Sequence, residues 1–92
     1  MSDEIVRKVR IRNAAGLHAR PCHAIVTTAR EFESELFVSA DGSEVNGKSI
    51  LELMTLCAPC ESWISFRAAG KDAEVLVARL AALVEAGFHE SD

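Results

Sequence analysis

The sequence predicts one α+β domain built as an open-faced sandwich, a single sheet with helices on one side. Three observations predict it. Apolar residues alternate with polar ones in four short stretches, and they recur at three- and four-residue spacing in three others. These two patterns follow one another in the order βαββαβα, and such apolar faces close only if the helices cover one side of one sheet. Finally, 92 residues with 49% hydrophobic content make one small core and are too few for two, so residues 1–92 are read as a single domain.

The elements follow in order. Val9 and Ile11 alternate with Lys8, Arg10 and Arg12, the period of a half-buried strand over residues 5–12. From Ala19 to Arg30, the residues Cys22, Ile25, Val26 and Ala29 form a helical stripe that Phe32 closes. Leu36, Val38 and Ala40 share one face of a second strand. Asp41-Gly42 is a hairpin signal, and a third strand then runs antiparallel through Val45. Ser49-Ile50-Leu51-Glu52 has the form of a capping box, with Ser49 capping a short helix to about Leu56 and Glu52 reaching back to it. Ile64, Phe66 and Ala68 alternate with Trp63, Ser65 and Arg67 in a fourth strand, which leaves Trp63 on the wetter face or at a sheet edge. After the turn Gly70-Lys71-Asp72, with Asp72 as cap, Leu76, Val77, Leu80, Leu83 and Val84 make the last helical stripe, stopped near Gly87. Phe88 to Asp92, and residues 89–92 above all, read as a loose tail.

Charge and composition exclude several function classes. No apolar run approaches the about 18 residues that span a bilayer, and Met1-Ser2-Asp3-Glu4 is acidic rather than signal-like, so the expectation is a cytoplasmic protein without a membrane partner. A net charge of −4 argues against a nucleic-acid partner, which a module gripping the phosphate backbone would need positive charge to hold. Yet Arg7, Lys8, Arg10, Arg12 and Arg20 cluster early, so a local positive face that suits acidic partner proteins is expected. Three cysteines, an odd number, point to reduced thiols rather than a disulfide framework.

The run Gly16-Leu17-His18-Ala19-Arg20-Pro21 concentrates the chemistry. It sets a histidine between a glycine and a proline that fits a helix's first turn. If a helix starts at or just after His18, the ring lies beside unpaired backbone N–H groups at the positive end of the helix dipole, where an anion is favoured. Arg20 is then placed to clamp an oxyanion, and the N–H of Ala19 to hold it.

This hexapeptide resembles the active-site signature of HPr, the histidine-containing phosphocarrier family of the bacterial phosphoenolpyruvate-dependent sugar phosphotransferase system. Val45-Asn46-Gly47-Lys48-Ser49-Ile50 resembles the segment around that family's regulatory serine, the spacing of the two blocks also fits, and the resemblance covers nearly the whole chain. The resemblance implies a four-stranded antiparallel sheet of order 1423 with three helices on one face. It implies a stoichiometric carrier rather than an enzyme, with no cofactor. In this reading His18 is phosphorylated on Nδ1 by Enzyme I and passes the group to Enzyme IIA. Ser49 would be the target of an HPr kinase/phosphorylase, a role that comes on top of helix capping.

Cys57-Ala58-Pro59-Cys60 departs from the family, whose members usually carry a glycine-containing loop there. A reactive CxxC normally opens a helix, whereas this one follows one. One CxxC supplies two metal ligands of the four that zinc takes, with Cys22, His23 or His18 as completers. Ordinary loop thiols and a redox or metal role both stay open. Two alternatives accompany the carrier reading: a regulatory binding protein controlled by phosphorylation of His18 or Ser49, and a metal- or redox-sensing domain using Cys57 and Cys60.

Overall fold

The computed structural model describes residues 4–90. Its strands are β1 (Glu4–Arg10), β2 (Glu35–Ala40), β3 (Ser43–Asn46) and β4 (Trp63–Ala69), and its helices are α1 (Ala19–Ala29), α2 (Ile50–Met54) and α3 (Ala73–Glu85). The sheet order is β1-β4-β2-β3, antiparallel throughout, which is the order 1423 that the resemblance implied. Register follows from the alternation. Val9 lies opposite Ile64, and Leu36 and Val38 lie opposite Ala68 and Phe66, so one face of the sheet is continuously apolar.

That face packs against the helices. α1 contributes Cys22, Ile25, Val26 and Ala29, and α3 contributes Leu76, Val77, Leu80, Ala81 and Val84, all buried. Leu83, expected in the stripe, is half-buried, and Ala81 takes the inner position. From the short α2 only Leu53 is buried. The hairpin forms as its residues require: Asp41 and Gly42 have φ of 51° and 85°, the two positive values of the tight turn whose twist matches paired strands.

Other local expectations are corrected. β1 ends at Arg10 rather than Arg12, although Ile11 still donates to the Ser62 carbonyl at 2.9 Å. α2 ends at Met54 because Thr55, Leu56 and Cys57 each donate to the carbonyl three residues back, which tightens the last turn. The capping box is half made. Ser49 Oγ accepts from Glu52 N at 3.2 Å, but the Glu52 carboxylate accepts from Asn46 N at 3.0 Å instead of from Ser49. Asp72 occupies the cap position of α3, its carbonyl accepting from Leu76 N at 3.0 Å, but its side chain makes no cap bond to the helix. Its carboxylate accepts from the backbone N–H of Glu33 and of Ser34, both at 2.9 Å, and from the Ser34 hydroxyl, tying the start of α3 to the entry of β2.

The loose-tail expectation is also wrong for residues 88–90; residues 91 and 92 lie outside the described part. Gly87–His89 form a 3-10 turn in which Phe88 is buried, and Glu90 folds back against the other end of the chain. On the open face of the sheet, Trp63 is 53% exposed with Lys8 and Arg10 each 5.8 Å from its ring centre. Arg67 pairs with Glu4 and Glu44 there and lies over Phe37. No helix among the described residues is long and apolar enough to cross a membrane.

The Ser34 hydroxyl first, and then the Glu33 N–H, hold the Asp72 carboxyl below the usual carboxylate range. A depressed value means that the ionised form favours the folded state. The contribution is present above the unfolded value of about 4 and is lost as pH falls through the lower folded value. Asp72→Asn is expected to lower the melting temperature at pH 7, and the gap from wild type should close below about pH 4, as read by thermal unfolding at both pH values.

Candidate functional site

The site is built from the loop between β1 and α1, the loop between α2 and β4, and the end of the chain. Gly16 has φ of 72°, and a Cβ built on it would sit 2.5 Å from the Ala58 carbonyl oxygen and 3.0 Å from Pro59 Cα. Only glycine meets both demands. The close approach lets Leu17 donate its N–H to Ala58 O at 2.8 Å, while Gly16 N donates to Asn13 O at 3.0 Å. With the loop held this way, α1 begins at Ala19 and His18 becomes its cap residue, extended in backbone and making no side-chain cap bond. Cys22 N closes on His18 O at 3.1 Å, and Pro21 has no N–H to satisfy. The N–H groups of Ala19 and Arg20 are left at the helix start, beside the histidine.

The His18 side chain is 40% exposed, and its Nε2 lies 3.0 Å from Oε2 of Glu90, whose own side chain is only 9% exposed. Glu90 is held in turn by Asn13, whose Nδ2 donates to Glu90 Oε1 at 3.0 Å and to Gly16 O at 2.6 Å. Both neighbours are acceptors, so the amide nitrogen must face them; Asn13 Oδ1 is buried without a hydrogen-bond partner among the described residues. Arg20 is exposed and has no ion-pair partner among the described residues. Of the early basic cluster, Arg7 pairs with Glu85 and Arg10 with Glu61, which leaves Lys8, Arg12 and Arg20 as the cations without a carboxylate partner among the described residues.

Sequence reasoning placed His18, Ala19 and Arg20 together, and they do share the first turn of α1 and its cap. It missed Asn13 and Glu90. An Asn three residues before a Gly was a turn signal at most, and nothing local marks a glutamate 72 residues from its partner. Ser49 is half-buried at the start of a different helix, α2. Its neighbour Lys48 donates its Nζ to the Phe32 carbonyl at 3.0 Å.

The CxxC segment is the wall against which Gly16 packs. Its thiols donate outward to carbonyls, Cys60 to Arg12 at 3.7 Å and Cys57 to Met54 at 3.5 Å, and all three cysteines are free. Cys22 cannot complete a metal site with them. It is fully buried on the inner face of α1, where burial pushes its thiol up to about 11. Among the described residues no group of three or more His, Cys, Asp or Glu side chains is placed to hold a metal ion.

Against known proteins, residues 5–86 match the family model described as the PTS HPr component phosphorylation site. The chain is 35% identical over 86 residues to the phosphocarrier protein HPr of Treponema pallidum, covering 94% of this chain and 98% of that one. It is 37% identical over 81 residues to the HPr-like protein Crh of Bacillus subtilis, covering 88% and 95%. It is 39% identical over 84 residues to the multiphosphoryl transfer protein of Vibrio cholerae, of whose length it spans 21%, and these residues are 88% of this chain. The crystal structure of HPr-C-His from Thermoanaerobacter tengcongensis superposes with a TM-score of 0.90 at 35% identity, covering 96% of this chain and 99% of that one.

Two outcomes follow from this packing. Gly16→Ala meets backbone atoms that cannot swing aside and keeps a positive φ, so it should cost about 1–3 kcal/mol in urea unfolding and shift the amide signals of residues 16–18 and of Ala58 and Cys60. Native protein treated with iodoacetamide at pH 8 should be alkylated at Cys57 and Cys60, with Cys22 modified only after unfolding, as peptide mass mapping would read.

Proposed function

The chain belongs to the HPr family of the phosphotransferase system, and from that premise we propose that His18 receives a phosphoryl group from Enzyme I and yields it to Enzyme IIA in the cytoplasm. The supporting observation is the setting of the ring: a half-exposed imidazole at the cap of α1, beside the free N–H groups of the first turn and an exposed Arg20 without an ion-pair partner among the described residues. Nitrogen attacks phosphorus through its lone pair, and the N–P bond is labile enough for a partner nucleophile to take the group onward. The carrier contributes position and charge. Arg20 faces the phosphoryl oxygens as a planar, permanently charged donor, and the Ala19 N–H adds a fixed dipole. Such a protein is consumed and regenerated stoichiometrically and is a carrier rather than an enzyme.

A second reading, a regulatory module switched at Ser49 by an HPr kinase/phosphorylase, is favoured by the surface that starts there. Leu51 and Met54 on α2 are 80% and 40% exposed, an apolar pair next to a hydroxyl that a kinase would charge. A phosphate on Ser49 would sit at the Glu52 backbone N–H that now bonds the hydroxyl, while the Glu52 carboxylate is turned to Asn46 N and Lys48 Nζ to the Phe32 carbonyl. The redox alternative keeps Cys57 and Cys60 only, because Cys22 belongs to the core.

Incubation with Enzyme I and phosphoenolpyruvate, read by intact mass, is expected to add one acid-labile, base-stable phosphoryl group that His18→Ala abolishes and Ser49→Ala leaves in place. Arg20→Ala should slow the transfer about 10- to 100-fold, the worth of one or two charge-assisted hydrogen bonds. Normal labelling of His18→Ala would overturn the carrier reading, and an acid-stable increment lost in Ser49→Ala would favour the regulatory one.

A further inference from the structure

We infer that Glu90 is a positioning residue for His18: its buried carboxylate holds the ring with the proton on Nε2, so that Nδ1 carries the lone pair that attacks phosphorus. The part of this inference that concerns phosphorus rests on the phosphocarrier reading.

A carboxylate that faces a ring nitrogen at 3.0 Å can only accept, so that nitrogen must carry the hydrogen. In a neutral imidazole the other nitrogen is then the lone pair. The resemblance to HPr implied Nδ1 as the phosphorylated atom; here the hydrogen bond supplies a reason for it within this chain.

The carboxylate is itself placed by three independent features. Asn13, 1% exposed, donates to its second oxygen, so both oxygens are occupied and the group cannot rotate away without breaking one bond. Phe88 buries its ring in the core two residues earlier and anchors the turn. Phe88 and His89 both take left-handed backbone conformations, with φ of 56° and 60°, which reverse the chain so that Glu90 points back to the loop before α1. Two consecutive non-glycine residues in that region are costly and persist only where surroundings hold them. The same Asn13 amide bonds Gly16 O, so the loop that presents His18 and the residue that orients its ring are fixed through one side chain.

The arrangement has a consequence during transfer. The Nδ1 lone pair forms the N–P bond while the bond from phosphorus to the donor breaks and its electron pair leaves with the donor. No proton moves, because the hydrogen on Nε2 stays on the ring. The ring becomes cationic as the bond forms, and Glu90 lies where that charge develops. On the return step the N–P electron pair goes back to Nδ1 and the ring is neutral again.

The test uses the full-length chain and phosphoramidate, a small phosphoryl donor that needs no partner protein. Product positions and rates are read by phosphorus and long-range nitrogen NMR on wild type, Glu90→Ala and Glu90→Gln. Wild type should be phosphorylated on Nδ1 and show a far-downfield Nε2 proton. Glu90→Ala should lose that proton signal, yield a detectable Nε2-phosphorylated fraction and react about tenfold more slowly. Glu90→Gln, whose amide oxygen still accepts but carries no charge, should keep the Nδ1 product and lose most of the rate. A merely structural role for Glu90 would leave product position unchanged; Nδ1-only product at the wild-type rate in Glu90→Ala overturns the inference. If the Glu90 dependence holds but Enzyme I transfers nothing to wild type, the carrier reading fails and the positioning role stands. If Enzyme I transfers normally and Glu90 has no effect, only the positioning role fails.

Discussion

The contact between Gly16 and the backbone of Ala58 and Pro59 is the constraint on which the rest of the site depends. It brings two loops far apart in sequence within hydrogen-bond distance, through Leu17 N and Ala58 O. The bond fixes where the chain turns into α1, and therefore which residue stands at its cap. A side chain at position 16 would separate the loops, and the helix start would lose its backing. The site rests here on main-chain atoms held at close range, so the wall can be built from Cys57-Ala58-Pro59-Cys60. What position 58 supplies to the loop is a carbonyl, and because Ala58 is only 4% exposed the residue there must also be small and apolar enough for the core.

Stability and chemistry are divided between different parts of the molecule. The inner face of the sheet, with Ile64, Phe66, Leu36 and Val38 against α1 and α3, supplies the burial that makes the fold. The site sits at its margin, on a cap residue, two loops and a terminal turn. Asn13 and Phe88 connect the two regions. Both are buried, and through them the positions of His18 and Glu90 are set by the core and not by the surface.

Charge is arranged in the same way. The chain is acidic overall, at −4, yet carboxylates reach Arg7 and Arg10 while Arg20 stands beside the histidine with no ion-pair partner among the described residues. An unpaired cation at a helix start costs the fold a little favourable pairing, and it leaves a positive site for an anion that the net charge would not suggest. The carboxylate nearest the histidine, Glu90, is on the ring nitrogen that a phosphoryl group at Nδ1 would not use.

The amino-acid sequence by itself determined the element order, the inner faces of β1, β2 and β4, the hairpin at Asp41-Gly42 and the run that carries His18, because alternation, helical spacing and turn chemistry are properties of near neighbours. The family resemblance added the strand order 1423, which periodicity cannot supply. Errors fell where a side chain had a choice of partners. Glu52 turned to Asn46 and Asp72 turned to Glu33 and Ser34, each leaving a local expectation for a contact made in three dimensions. The placement of Cys22 out of reach of Cys57 and Cys60, the packing of Gly16 on Ala58, and the Asn13–Glu90–His18 chain were decided by tertiary structure alone. Their partners lie 35 to 77 residues apart in sequence, and hydrogen bonds and close packing depend on distance in space, which local spacing does not encode.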